Sequence, residues 1–416
     1  MRKIKNGLIL AGGDSTRFWP LSEKTLLSFL GKPLLLYQIE ELSKFCDKIT
    51  VVIHKDLAFR VKRLIENSYL KDKVQIIIQK DILSNQVGAI LSAKNHIKGE
   101  VLIVNANDII DFNIISKLIN RITPKTKILL TGKKINEYFP GGYFKFDSKG
   151  NLSEIIEKPQ KDNLPSNVFR LVLDFFSDIN QLIETIESIK TNKDDHYEKS
   201  INKILTASKS NHYLIYENYW NSLKYPWHVL TMLKWFLGNI KTSKISPSAH
   251  ISKKAVINGP VIIGDNVRVG DFVKITGPVF IGNNSVIGDY SLIRESQIGE
   301  DCLIGSYTEV ARSYIGNKVF LHRNYIGDSV LDNKIMMGAQ AVTANLRFDG
   351  ETVSDTNLSK LGAFIGQESK IGVNTTLTPG VKIGRNTWIG PGEVILKDIK
   401  DKIYFISGVE KVNLNK

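Results

Sequence analysis

Residues 263–292 read IGDNVR VGDFVK ITGPVF IGNNSV IGDYSL, five consecutive hexads opening on Ile263, Val269, Ile275, Ile281 and Ile287. Each hexad supplies one inward aliphatic residue, then glycine or polar residues suited to a corner. Three such sides close a triangular coil whose neighbours stack into a continuous core. The phase returns after an irregular middle, at Ile365, Ile371, Leu377, Ile383 and Ile389. Scattered Ile-Gly pairs occur in any protein, but a run held in phase over this length does not. The pattern predicts a left-handed parallel β-helix from about Ile245 to Ile399, with about eight coils.

The interruptions are informative. The residue after the inward aliphatic is usually glycine, but Leu321 is followed by His322 and Ile293 by Arg294. Residues 345–359 (NLRFDGETVSDTNLS) carry no hexad and are expected to leave the coil as a loop, the kind of place where binding occurs. A corner histidine alone is most often a solvated polar residue. Tyr325, Asn345 and Lys360 arrive near His322 in the repeat order, which favours a site.

The first 240 residues alternate short apolar strands with amphipathic helices. Gly7–Ala11, Ile49–Ile53, Val74–Gln79, Val101–Asn105 and Ile128–Thr131 read as strands; Pro33–Lys44, Leu57–Asn67, Gln86–His96 and Ile114–Arg121 read as helices. The alternation predicts an α/β, Rossmann-like domain (1–240) with a mostly parallel sheet and ligands at its carboxyl edge, followed by the β-helix (241–416). The first strand runs into LAGGDSTRFWP (10–20), a glycine turn where backbone N–H groups can approach phosphate oxygens and Arg17 adds a fixed charge. It is not the dinucleotide fingerprint G-x-G-x-x-G, which argues against a dehydrogenase. Asp108, at the end of VLIVNAND, places a carboxylate where Mg²⁺ is commonly held. Glu157 closes a hairpin that begins at Gly142.

The formal charge is +14, with 56 Lys and Arg against 42 Asp and Glu, but the two signs are interleaved throughout. No basic run is paired with aromatic residues, so a nucleic-acid footprint is missing and attraction of phosphorylated substrates is the better reading. No apolar run reaches membrane-spanning length, and the start, MRKIKNGLILAGG, reads as a strand and glycine loop, not a signal peptide. Two isolated cysteines, Cys46 and Cys302, suit a reducing, cytoplasmic setting.

On HRNYIGDSVLDN (322–333), MGAQAVTANLRFDG (337–350) and KLGAFIG (360–366), the β-helix resembles the acetyltransferase domain of archaeal-type bifunctional N-acetylglucosamine-1-phosphate uridylyltransferases. The resemblance implies that His322 is the general base of acetyl transfer from acetyl-CoA to an amino-sugar-1-phosphate. Imidazole titrates near working pH and suits the removal of an amine proton. Tyr325, Asn345 and Lys360 are then implied to hold the amino sugar and its phosphate, with Arg294 as a further phosphate contact. Ala339 and Val373 are implied to meet acetyl-CoA. The family's lysine after the glutamate-valine pair is Ala311 here, with Arg312 beside it, and its glycine-alanine-glycine turn reads Gly338-Ala339-Gln340.

The N-terminal region resembles the sugar-1-phosphate nucleotidylyltransferases over essentially its whole length, through LAGGDSTR and the GKP at 31–33. The resemblance implies in-line attack of a sugar phosphate on the α-phosphate of a nucleoside triphosphate, with Arg17 and Lys24 neutralising charge. It places Ala11, Gly12, Gly13, Asn85 and Gln86 on the nucleotide, Gly142 and Glu157 on the sugar, and Asp108 with Asn221 on Mg²⁺. Ser15, Glu23, Ser84-Asn85-Gln86-Val87 and Trp220-Asn221-Ser222 depart from the family pattern. The expectation is a bifunctional enzyme making UDP-N-acetylglucosamine from UTP, acetyl-CoA and an amino-sugar-1-phosphate, assembled as a homotrimer. The alternatives are a single-activity enzyme or a non-catalytic regulatory homologue.

Overall fold

The computed structural model describes residues 2–13, 15–21, 23–80, 85–110, 113–191, 194–207, 211–353 and 356–412. The chain forms two compact units, Met1–Asp14 with Leu34–Trp220, and Ser15–Pro33 with Asn221–Lys416.

In the first unit, the strands Ile4–Ala11, Cys46–Ile53, Val74–Ile78 and Val101–Asn105 are parallel, with Ile4–Ala11 between Cys46–Ile53 and Val101–Asn105. Their runs of consecutive apolar residues suit strands covered on both faces, and Leu8, Val52 and Ile103 are fully buried. Val168–Phe176 then pairs antiparallel with Val101–Asn105, so the sheet is mixed. Its α-helices include Leu34–Phe45, Ala58–Glu66, Ile179–Ser188, His196–Ala207, Asn85–Ala93 and Asn113–Arg121. The last of these buries Ile114, Ile115, Leu118 and Ile119, one stripe of a 3.6-residue period. The predicted hairpin forms with Gly142 directly opposite Glu157. Asp108 does not end the strand Val101–Asn105; it opens a separate short strand, Asp108–Ile110.

Behind this hairpin, Arg170 donates to Glu198 at 3.0 Å and also to Asp174, which accepts from the Tyr197 hydroxyl at 3.0 Å. Burial pushes the Asp174 carboxyl up, against the pull of Arg170. Removing one member leaves a buried charge without its partner, which typically costs about 3–5 kcal/mol.

The second unit is the left-handed β-helix. Three sheets run its length, of 8, 10 and 8 strands among the described residues, parallel throughout except where Ile403–Ile406 and Val409–Val412 close the second as an antiparallel hairpin. Each strand pairs with the strand one coil later, inward residue on inward residue: Ile263 with Ile281 on the first face, Val269 with Ile287 on the second, Ile275 with Ile293 on the third. These inward side chains form one continuous core in which Ile275, Ile281, Ile293, Ile304 and Ile315 are fully buried. Full burial of each such side chain contributes roughly 1.5–3 kcal/mol.

Stacked coils explain the Ile-Gly signature. A Cβ on Gly282 would lie 2.7 Å from the carbonyl carbon of Gly299 on the next coil, closer than real Cβ contacts allow. The irregular middle proves to be regular coil with shortened corners. Ile281 pairs with Ile298 and Ile315 with Leu331, so coils of 17 and 16 residues follow those of 18. At a full corner the left-handed residue stands three after the inward one (Asn284, φ 60°), and at a short corner two after it (Glu295, φ 47°). One residue is lost per corner and the hexad phase slips, while the stack continues. Leu331 pairs with Ile365, 34 residues on, and the excess is the expected excursion, bridged at its neck between Leu346 and Lys360. Ser354 and Asp355 of that stretch lie outside the described residues.

Arg294 needs a different account from the one its sequence context invites. On the third face the strand runs one residue further, and Thr276, Arg294, Ala311 and Gly327 occupy successive register positions. A non-glycine residue is ordinary there. On the second face the residues after the inward position from Val269 to Ile389 are Gly270, Gly288, Gly305, His322, Gly338, Gly372 and Gly390, with Ser252 one coil earlier, so His322 interrupts a run of glycines.

The segment Ser15–Pro33 packs on the first face of the β-helix. The Gln297 side chain accepts from Leu30 N–H at 2.8 Å and donates to Ser28 carbonyl at 2.9 Å, and Phe29 stacks on Phe236 with centroids 4.8 Å apart. Trp19 Nε1 donates to Asp401 at 2.7 Å.

Candidate functional site

The corner carrying His322 is a shortened one, with Arg323 taking the left-handed position at φ 53°. Asn324 then turns into the core, where it is buried. Its amide donates to Gly338 and Ala341 carbonyls at 2.9 and 2.8 Å, and its oxygen accepts from His322 N–H. An amide inside a largely aliphatic prism is tolerated because all of these bonds are made. It fixes the backbone of a corner whose imidazole is exposed.

Tyr325, three residues on, lies on the third face opposite Glu309, which in turn accepts from Arg294 at 2.7 Å. The excursion departs from this face at Asn345, whose side-chain amide donates to the Tyr325 hydroxyl at 3.3 Å and to Asp328. Gly327 makes room for that meeting, since a Cβ there would stand 2.7 Å from Tyr325 Oη and 2.8 Å from Asn345 Nδ2. Arg312 grips Asp328 with two bonds of 2.7 Å. Lys360 is exposed at the neck of the excursion. His322, Arg294, Tyr325, Asn345 and Lys360 thus fall on two adjoining faces over a few coils. Ala339 and Val373 are exposed on the coils after His322, and Gln340 takes the left-handed turn at φ 63° where the family has glycine.

In the first unit, Ala11 ends the first strand and Gly12 follows it, buried, while Gly13 is exposed. The buried Gln79 lies against this turn, so closely that a Cβ on Gly12 would fall 1.9 Å from its side-chain oxygen, and its amide donates to Asn85 carbonyl at 3.0 Å. Gln79 therefore joins the glycine turn to the start of the helix carrying Asn85 and Gln86, a role missed from sequence although its place just past Val74–Ile78 marks a carboxyl edge. Asn85 Nδ2 donates to Asp194 at 2.9 Å, and Lys158 bonds the same carboxylate at 2.5 Å, standing 3.6 Å from Glu157. Asn85 and Glu157, read separately in the sequence, are linked through Asp194 and Lys158. Ser84 lies outside the described residues.

The Asp108 carboxylate is buried, with Asn105 Nδ2 and Trp220 Nε1 each 3.4 Å from one of its oxygens. Among the described residues no group of three or more His, Cys, Asp or Glu is arranged to enclose a metal. A buried carboxylate in a sparse oxygen donor set fits Mg²⁺, which keeps several waters and takes other ligands from phosphates.

Arg17, Lys24 and Asn221 belong to the second unit. Arg17 is exposed in a 3-10 turn, Thr16–Phe18, and Lys24 is buried with its ammonium 5.6 Å from the Phe18 ring centroid. Ser15 has φ −99°, so its position does not need glycine's backbone freedom. Ser222 is buried and its carbonyl faces His228 Nδ1 at 2.7 Å. Tyr225 and Trp227 stack with centroids 4.6 Å apart and meet the His228 ring edge-on.

Burial drives the His228 pKa down to about 4, opposed by the Ser222 carbonyl and assisted by Lys224 and Lys24. A depressed histidine contributes stability above its unfolded pKa, near 6.5, that is lost as pH falls toward 4; here that is at most about 3 kcal/mol. His228→Gln is therefore expected to lose less melting temperature than the wild type between pH 7 and pH 5. Equal losses in both proteins would remove His228 from the acid sensitivity.

Comparison with known proteins supplies the remaining findings. The nucleotidyl transferase family model matches residues 6–223, the GMPPB C-terminal domain matches 239–351, and the hexapeptide repeat of succinyl-transferase matches 362–397. The chain is 30% identical to the bifunctional protein GlmU of Methanococcus vannielii, over 96% of this chain and 97% of that one. Identity to the Methanococcus aeolicus bifunctional protein GlmU is 32%, over 98% of both chains. A Sulfurisphaera tokodaii bifunctional sugar-1-phosphate nucleotidylyltransferase/acetyltransferase is 33% identical, over 94% of this chain and 97% of its own.

Proposed function

We propose, from the premise that the chain belongs to the nucleotidyl transferase family and to its bifunctional branch with hexapeptide repeats, that it makes a nucleotide N-acetylamino sugar in two steps. UDP-N-acetylglucosamine from UTP is the product that the GlmU-type relatives favour. The observation that carries the reading is His322, the one imidazole in a row of corner glycines, followed directly by the Tyr325–Asn345–Asp328 cluster. We place the functional boundary near residue 240, supported by family matches that end at 223 and resume at 239.

In the first step the amine of an amino-sugar-1-phosphate attacks the thioester carbon of acetyl-CoA. A carbon–nitrogen bond forms, the carbon–sulfur bond breaks, and His322 takes the amine proton. Tyr325, Asn345 and Lys360 hold the acceptor, Arg294 its phosphate, and Ala339 and Val373 the coenzyme. In the second step a sugar phosphate oxygen displaces pyrophosphate from the α-phosphate of the nucleoside triphosphate. The turn Ala11–Gly13 approaches the phosphates, Asn85 and Gln86 the base, and Gly142 and Glu157 the sugar. Arg17 and Lys24 offset the charge that develops. Asp108, with Asn221 as a further oxygen donor, would hold Mg²⁺, which when bound draws charge from the phosphate oxygens.

The relatives' hexapeptide architecture also favours a homotrimer, with support from the outer row of the second face. Val286, Leu303, Phe320 and Met336 follow one another there, and Phe320 and Met336 are 38% and 45% exposed. Light scattering should return about three times the 46.8 kDa chain mass. A cytoplasmic setting belongs to the same proposal, supported by the two buried, free cysteines.

An assay with acetyl-CoA, UTP and glucosamine-1-phosphate, extended to other nucleotides and sugar phosphates, tests the reading. Release of coenzyme A and pyrophosphate with formation of a nucleotide N-acetylamino sugar is expected. Acetylation with no nucleotide sugar from any pairing would leave the single-activity reading, which Ser222 in the W-x-D position favours.

A further inference from the structure

Among the described residues the Asp328 carboxylate meets three side-chain donors: Arg312 Nε and Nη2 at 2.7 Å each, and Asn345 Nδ2. An ionised carboxylate only accepts hydrogen bonds, so it admits one orientation of the Asn345 amide, with the NH₂ end inward. That NH₂ group spends its second hydrogen on the Tyr325 hydroxyl at 3.3 Å. Among the described residues no protein donor meets Asn345 Oδ1.

We infer that Asp328, held by Arg312, is a positioning residue that fixes Asn345 with its carbonyl oxygen turned outward, to accept a hydrogen bond from an N–H or O–H group of the acetyl acceptor. The inference rests on the acetyl-transfer reading of this site. The Arg312 fork does two things. Its planar donors set the plane of the carboxylate, and with Nε on Oδ1 they leave Oδ2, which Nη2 also holds, turned to the Asn345 amide. Glu309 plays no such role, because its recorded bonds are to Arg294 and it leaves the Asn345 amide untouched. The device explains why the excursion is tied down beside Asn345, through Leu361 N–H to Asn345 carbonyl at 2.9 Å and Gly362 N–H to Asp328 carbonyl at 2.8 Å.

The test is a swap. In Asp328→Asn the new amide can keep only one of the two Arg312 bonds, and with its oxygen on Nε its NH₂ faces Asn345. The Asn345 amide then turns over and presents NH₂ outward, where the acceptor also brings donors. In Asn345→Asp, two carboxylates face each other. Each single variant is expected to lower kcat/KM for glucosamine-1-phosphate about ten- to thirty-fold, through KM more than kcat, with the KM for acetyl-CoA within two-fold of wild type. In Asp328→Asn with Asn345→Asp, the amide donates to a carboxylate that again shows an oxygen outward, and the loss should shrink to about three-fold. Calorimetric binding of glucosamine-1-phosphate is measured on all four proteins, so the cycle is read even where turnover is absent, and thermal melts separate unfolding from misorientation. Additive losses in the double variant, or equal losses toward acetyl-CoA, would overturn the inference. A wild type that neither binds nor acetylates any amino-sugar phosphate would instead overturn the acetyl-transfer reading.

Discussion

Replacing His322 by alanine is expected to lower acetyl transfer to glucosamine-1-phosphate by about two to four orders of magnitude, the usual contribution of a positioned general base. Most of the acceptor amine is protonated at neutral pH, and the proton it sheds on attacking the thioester needs a local destination. The imidazole is exposed on a backbone fixed by Asn324, so it can serve as that destination without rearrangement of the coil. A sharper variant comes from the row in which it stands. Gly305 and Gly338 occupy the same position on the coils before and after, so His322→Gly restores the repeat's own residue. That variant should melt within a few degrees of the wild type while losing as much acetyl transfer as His322→Ala. Release of coenzyme A from acetyl-CoA, followed with a thiol reagent, reads the step directly. Nucleotidyl transfer to N-acetylglucosamine-1-phosphate, assayed as pyrophosphate, should stay within two-fold. A residual acetylation rate above about a tenth of the wild type would sink the base assignment, since no general-base contribution is that small.

The β-helix was legible because its core and its sequence share one period: each inward aliphatic is paired with another one coil away, and each corner glycine faces backbone. What the hexads hid was a corner that sheds a residue, at Glu295, Arg312, Arg323 and Asp328, where the phase slips and the stack does not. The same blindness made Arg294 look exceptional, whereas it is His322 that breaks the run of corner glycines from Gly270 to Gly390. The five strands and four helices read in the first unit formed within a few residues of their expected ends, but Val168–Phe176, Ile179–Ser188, His196–Ala207 and Asn211–Tyr216 were not read. Gln79 was not, nor the link from Asn85 through Asp194 and Lys158 toward Glu157, because side chains on separate elements, 109 residues apart for Asn85 and Asp194, meet only after the sheet has formed. The segment Ser15–Pro33 gave no sign that Gln297 and Phe236 would receive it, since its hydrophobic run reads equally well as the approach to a helix.

Lys24→Ala is expected to lower nucleotidyl transfer by about 10²- to 10³-fold, the scale of losing one preorganised charge in a site that excludes water. Phosphoryl-group transfer asks the protein for position and charge, not for covalent chemistry, so a fixed cation accounts for much of its catalysis. Lys24 and Arg17 differ in how far they are fixed. The ammonium of Lys24 is buried beside the Phe18 ring, whereas Arg17 is exposed and screened by solvent. Arg17→Ala should therefore cost less, about ten-fold, and its cost should fall as salt rises. Lys24→Arg should recover little, because a planar guanidinium does not replace a compact ammonium in a space built around one. The readout is pyrophosphate release from UTP with N-acetylglucosamine-1-phosphate, beside coenzyme A release from the acetyl step in the same preparation. Loss of pyrophosphate release alone assigns Lys24 to the nucleotidyl site. Since Ser15–Pro33 packs on the β-helix through Ser28, Phe29 and Leu30, a parallel loss of coenzyme A release would mean that Lys24 holds that segment in place, and its role would then be structural.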